Sequence, residues 1–349
     1  MAKAVGMEMR AAMRKAVQWG TAVACGAGDG LLVRPPSVRK RTDMHLEDSL
    51  GVAFPLVQDR GAVAVQGDIP AYLRYDSLDL PVALAMGETG GAPTQPDGAN
   101  DPNTYRQTFT LAEHLEGLFA TFALYVGVNV EECPSLKVSG FTLKGQVGTP
   151  VMITFHTLAD DLLTRGTVNT TGGFSGVTCR ETGHRVLMSH GTFRLNDQSG
   201  AALEAADVVH PASFELIFKR KLTGVYAAGQ ADRIDEPSTA GVPEVTLKLV
   251  FPRYTADTYF ADMEAGTLKK MDIVFKGALI DAAYRRTFAL SFPALALREV
   301  DLPKAEGILR HPLTFACLAA DEAPAGMAGV TKPFRVEVTN RNDTDVLMP

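Results

Sequence analysis

An apolar–polar period of two runs through most of this chain and limits what it can fold into. Phe214, Leu216 and Phe218 alternate with Glu215, Ile217 and Lys219, and Val245, Leu247 and Leu249 with Thr246 and Lys248. Met271, Ile273 and Phe275 alternate with Asp272 and Lys276, Phe288, Leu290 and Phe292 with Thr287 and Ser291, and Phe334, Val336 and Val338 with Arg335, Glu337 and Thr339. Successive side chains of a strand point to opposite faces, so this pattern predicts antiparallel sheets with a core face and a polar face. In the first half Ile69, Ala71, Leu73 and Tyr75 share a face, and Val151, Ile153 and Phe155 alternate with Met152, Thr154 and His156. Residues 119–125 are apolar on both faces and read as a strand buried on both sides.

Helical signal is sparse. The spacing predicts one short helix over residues 7–19 and another over 76–86, with Ser77 as N-cap and Pro81 limiting its extent. A counterpart is expected over 255–268, capped by Thr255 or Asp257. The 349 residues exceed one ordinary domain. The reading is an N-terminal arm over 1–44, a first β domain over 45–165, linker and connecting strands over 166–205, and a second β domain over 206–349. Two stretches echo each other. TFHTLADD at 154–161 matches TFACLAAD at 314–321 in five of eight positions, and LRY at 73–75 parallels PRY at 252–254. In each half the RY pair precedes the expected helix, which points to an internal duplication.

Three polar loops interrupt the strands, at 87–103, 166–176 and 229–242. The first is rich in Gly, Pro, Asn, Asp and Thr and is long for a connection inside a compact domain, which marks it as a functional loop. The net charge of −6 excludes a protein that grips nucleic acid through a basic face. Cys25, Cys133, Cys179 and Cys317 are scattered, contain no CxxC pair and suit a reducing compartment. The N-terminus carries Glu8 where a signal peptide is basic, and its apolar run over 17–25 is short and broken by Gln18, so a soluble arm is preferred. No stretch reaches the roughly 18–20 apolar residues of a membrane helix, so no membrane anchor is expected.

Reactive constellations fail one by one. The Gly-rich residues 26–30 lack the strand before and the helix after that make a phosphate cradle. Cys179, His184 and His190 have no fourth ligand nearby for a structural zinc. Asp160 and Asp161 are adjacent on a strand, point opposite ways and cannot share one bond. GFSG at 173–176 lacks the final glycine of a nucleophile elbow. His156, in an apolar strand, reads as a structural histidine. The chain is therefore read as having no catalytic, cofactor or metal site and as not an enzyme.

The order of segments resembles the siphophage-type tail tube proteins of bacteriophages. The resemblance is carried by QGDIPAYLRY (66–75), the long loop, YRQTFTLA (105–112), GLFATFALY (117–125), PSLKVSGFTLKGQVG (134–148) and PVMITF (150–155). LKLVFPRY (247–254), FPAL (292–295) and GMAG (326–329) continue it in the second half. It covers about residues 45–345; the N-terminal arm and Cys133 depart from it. It implies a mainly β fold of tandem β-sandwich or half-barrel domains, each with a short helix, that form a closed inner β-barrel on oligomerisation. It implies a structural virion protein, the major tail tube subunit, made in the host cytoplasm and stacked as rings into the conduit for genome delivery. Partners implied are other copies of the chain, as a pseudo-sixfold trimer or a hexamer stacked head to tail, and the tape measure, terminator and baseplate proteins. DNA would pass the lumen without specific binding, and an acidic protein suits a lumen that repels it. Gly87, Thr94, Asp97, Asn100 and Asn103 in the long loop are the expected inter-ring contacts. The competing readings are another tail, baseplate or type VI-like tube component, and a carbohydrate-binding β-sandwich. The latter would expose aromatics on one sheet, yet Trp19 is the only tryptophan.

Overall fold

The computed structural model describes residues 8–348 except 50, 52–53, 55–56, 181–182, 230–231, 255 and 301–308. Fourteen strands of five residues or more and two short helices carry the fold. In chain order they are β1 (Arg10–Lys15), β2 (Arg39–Leu46), β3 (Gln58–Tyr72), α1 (Asp79–Met86), β4 (Tyr105–Leu111), β5 (Ala120–Tyr125), β6 (Val130–Gln146) and β7 (Met152–Ala159). There follow β8 (Gly191–Asp197), β9 (Ser213–Lys219), β10 (Glu244–Phe251), α2 (Thr258–Ala265), β11 (Lys269–Leu279), β12 (Arg285–Val300), β13 (His311–Leu318) and β14 (Arg335–Asn340).

Eight strands form one antiparallel wall in the order β2-β3-β7-β6-β9-β10-β13-β12. The order of the first four, β2-β3-β7-β6, recurs in the last four. In each set a hairpin leads into the strand before the helix, and the next neighbours are a late returning strand and a long strand. The sets meet where β9 runs along β6, from Ser213 opposite Gln146 to Lys219 opposite Gly140. A second layer covers one face. It holds β1 on β5, and β5 on the start of β6. In the second half it holds β8 on β11, β11 on β12, and β12 on β14, which pairs β4. The long strands β6 and β12 serve both layers. β6 pairs β5 through Val130–Leu136 and β7 through Leu136–Lys144, and β12 changes from β11 and β14 to β13 near Ala294. Each has register shifts along its length, the usual way a strand turns a corner between sheets.

The alternation read from the sequence decides which face is covered. Phe141, Leu143, Ile153, Phe155, Phe214, Leu216, Phe218, Leu247 and Leu249 lie between the layers and are essentially inaccessible. Phe141 meets Phe218 at 5.5 Å between ring centres and Phe334 at 6.1 Å, so aromatic edges join the two halves. Lys137 is fully buried although it falls on the polar side of the alternation. It lies where β6 turns between layers, donates to the carbonyls of Leu115 and Pro237 and pairs with Glu236 at 2.8 Å.

Two helices stand near the expected places. α1 is buried at seven of its eight residues, whereas α2 has none buried. Pro81 sits in the first turn of α1, where its missing N–H costs nothing. Ser77 is not the cap: it precedes the N-cap Leu78 with φ 76°, and no side chain caps the helix. Asp257 is the N-cap of α2, without a side-chain bond, and Thr255 lies outside the described residues. The helix expected over 7–19 is corrected: its described part holds strand β1, paired along its edges with β5 and the short strand Gly30–Leu31, with Ala11 and Met13 packed into the main core on one face and Ala12 against Cys25, Val130 and Phe174 on the other. Burial between partners on each side overrides the helix propensity of Ala, Met, Arg and Lys. No helix among the described residues is long and apolar enough to cross a membrane.

Candidate assembly surfaces

The wall does not close on itself within one copy. β2 pairs β3 on one side only, and seven of its eight residues are exposed. At the other end β12 pairs β13 through Ala294–Val300, and beyond Leu295 its far side has no strand beside it among the described residues. Among the described residues, two rims with no strand beside them therefore lie at opposite ends of an eight-stranded sheet. Unprotected rims pair with whatever strand is offered.

The β2 rim is held in place by a buried carboxylate. Asp161, at the end of β7, receives Lys40 Nζ at 2.5 Å and Arg233 at 2.6 Å and has no accessible surface. Its neighbour Asp160 accepts the Ser135 amide at 2.9 Å, with burial pushing its carboxyl up to about 6. The expectation that the two sit adjacent on a strand is corrected, since β7 ends at Ala159; Asp161 anchors a rim strand 121 residues earlier. The run Arg39, Lys40, Arg41 was the available signal.

A second cluster clasps the halves together. Asp79 of α1 is buried and accepts the side-chain amides of Asn340 at 2.9 Å and Asn342 at 3.1 Å. Asp76 faces Arg286 of β12 at 3.0 Å, and Thr89 donates to Asp345 at 3.0 Å. The C-terminal segment is thereby tied over the first-half helix. Desolvation, opposed by the two amides, raises the Asp79 carboxyl to about 6. Between the ordinary carboxylate pKa near 4 and about 6 the unfolded chain sheds this proton while the folded chain keeps it, so the contribution to stability falls as pH rises through that window. Asp79→Asn keeps an oxygen for both amides and removes the charge. It is expected to stabilise the protein at pH 8 by on the order of 2–3 kcal/mol and to change little at pH 4. Paired thermal melts at the two pH values check this, and equal shifts at both would contradict it.

The residues expected to bridge rings lie along the loop but do not converge. Gly87 is the left-handed C-cap of α1 (φ 97°), packed where a Cβ would meet Ala112 and Leu115, and it belongs to the fold of the helix end. Thr94 bridges Arg106 and is exposed. Asp97 holds the turn by accepting from Asn100. Asn103 binds Asp281 in the second half through its amide N–H and side chain, and Asp101 accepts the Ala283 amide. The loop is thus folded back onto the β11–β12 turn. Cys179, His184 and His190 do not gather either: Cys179 pairs beside Gly28, and His190 Nδ1 meets the Tyr75 hydroxyl at 3.0 Å. No group of three His, Cys, Asp or Glu side chains placed to hold a metal occurs among the described residues.

A layered β wall with an aromatic core and two open rims defines a structural β-sheet protein. A family model described as phage tail tube protein matches residues 9–338, nearly the whole chain, and the chain belongs to that family. It is thus a structural tail component of a phage virion. No curated protein matches it.

Proposed function

We propose that this chain is the subunit of the tail tube itself, built from two tube repeats, and that three copies close one ring. The observation that carries this is the repeated wall order, β2-β3-β7-β6 followed by β9-β10-β13-β12, with both outer rims open. The two repeats follow the domains expected over 45–165 and 206–349, the first extended back to Arg39 so that it includes β2, with β1 laid on the first and β8 on the second. Within one chain the repeats are already joined by a seven-pair ladder between β6 and β9. The same junction between copies places the β12 rim of one against the N-terminal rim of the next, which removes both edges by closure. Three copies then give twenty-four strands. At about 4.8 Å spacing and a tilt near 40°, such a barrel has a backbone diameter of roughly 45–50 Å, wide enough for duplex DNA to pass once side chains are added. Rings whose two ends differ stack head to tail into an open tube. The loop carrying the exposed Thr94, Asn100 and Asn103 and the half-buried Asp97 meets the next ring, with tape measure, terminator and baseplate proteins engaging the ends.

One substitution separates fold from assembly. Arg298 is exposed and is the unmatched residue of a bulge in β12, between Leu297 opposite Phe315 and Glu299 opposite Thr314. Arg298→Pro places a proline at the bulge on the open rim, where proline is tolerated, and takes a backbone donor from that rim. The variant is expected to melt as the parent does while needing at least about ten times the concentration to form rings, a cost of about 1.4 kcal/mol per junction. Sedimentation and negative-stain images measure this. Unchanged ring formation would count against the rim-to-rim junction.

A further inference from the structure

The two halves of the wall correspond strand by strand, and their registers fix the correspondence to single residues. The matching segments at 154–161 and 314–321 set Phe155 of β7 beside Phe315 of β13. Phe155 lies opposite Ile69 of β3 and Phe141 of β6. Phe315 lies opposite Leu247 of β10 and Leu297 of β12. Ile69 therefore corresponds to Leu247, and Phe141 to Leu297. Two residues back along β3 and β10, Gly67 corresponds to Val245, which faces Phe218 of β9. Gly67 faces Val38, the residue before β2: Arg39 is opposite Gln66, and a Cβ on Gly67 would meet the Val38 Cα at 2.5 Å. Phe218 thus corresponds to Val38. Inside one chain Phe141 and Phe218 are directly opposite each other where the halves join. Their counterparts, Leu297 and Val38, stand on the two outer rims, each half-buried.

We infer that copies join in the register the two halves already use, with Leu297 of one copy opposite Val38 of the next. The inference rests on the tube reading above and adds the residues of its seam. Along the same strands, Ala296 takes the place of Gly140 and faces Arg39, which takes the place of Lys219. Glu299 takes the place of Thr142 and faces Ser37, whose amide donates to the Asp68 carbonyl as the counterpart of Ile217. Arg298, the bulged residue, has no position opposite it. On the covered face the seam joins Leu297 to Val38, both of which already pack against the main core of their own copy. On the uncovered face the charges are complementary. Arg39 is opposite Gln66 and Glu299 opposite Thr314, and both are exposed. In this register they lie diagonally across the seam, two residues apart, within reach of long side chains. A slip of one residue would turn the apolar side chains of one rim to the uncovered face.

The test uses Leu297→Cys and Val38→Cys made as separate proteins in a Cys179→Ser background, the other native cysteines being buried. The two are mixed, assembled and oxidised with copper–phenanthroline, and covalent dimers are measured on denaturing gels. A mixture of Leu297→Cys with Pro36→Cys, two residues out of register, is the control. The first mixture is expected to give at least about tenfold more dimer than the second, because a disulfide forms only across a short Cα separation. As much dimer from the Pro36→Cys mixture overturns the register while leaving rim-to-rim contact standing. Tubes that form but give dimer in neither mixture overturn the seam. Failure of the parent to form tubes overturns the tube reading itself. The exposed charges give a second readout. Arg39→Glu and Glu299→Arg are each expected to raise the concentration needed for rings at least about threefold, and the doubly reversed chain to return within about twofold of the parent. A double variant no better than either single one contradicts the pairing across the seam.

Discussion

Gly140→Ala is expected to lower the melting temperature by about 4 °C or more and to loosen the joint between the two halves. Gly140 has φ 152° and sits where β6 carries both β7 and β9. A Cβ added there would lie 2.1 Å from the Phe218 carbonyl oxygen. That atom is backbone inside a paired strand and has no rotamer through which to retreat. Strain of this kind costs about 3 kcal/mol or more, and each kcal/mol is worth about 1.4 °C in a chain of this length. Calorimetry reads the effect, and a variant melting within 2 °C of the parent would contradict the close approach. Because the site lies in the β6–β9 ladder, protease nicking between residues 160 and 212 should rise together with the loss of stability.

The second large effect is expected at the clasp. Asp76→Ala removes the carboxylate that faces Arg286 at 3.0 Å, with both side chains nearly inaccessible. Removing one partner of a buried pair costs about 3–5 kcal/mol, because the remaining charge stays desolvated. Asp76→Ala combined with Arg286→Leu should recover a substantial part of that loss. If the double variant is no more stable than Asp76→Ala alone, desolvated charge is not the cause. Since Asp76 leads into α1 and Arg286 belongs to β12, this pair fastens the first half to the second independently of the ladder.

The sequence made the strands legible and left their neighbours hidden. Phe214, Leu216 and Phe218 announce β9 and its buried face, yet nothing local says that β9 lies against β6 some seventy residues earlier. The segments TFHTLADD and TFACLAAD begin in the returning strands β7 and β13 of the wall and run past their ends. The strand β1 escapes the sequence because its residues favour helix in isolation, and the β5 ladder and the two clusters that bury its faces come from distant segments. In the loop at 87–103 the composition signals irregular backbone, but its docking depends on Asn103 and Asp281, 178 residues apart. Lys137 was invisible as a buried cation because its partner Glu236 comes from a distant polar loop. The rims were also unreadable, since an open edge is a property of the assembled order and of no segment.

The count of copies around one ring tests the central claim most directly. Electron microscopy of the assembled protein, averaged down the tube axis, is expected to show three copies per ring, an inner wall of twenty-four strands and a pseudo-sixfold outline in which adjacent lobes differ. Six copies per ring, or a chain that stays single at every concentration with its rims unpaired, would contradict it.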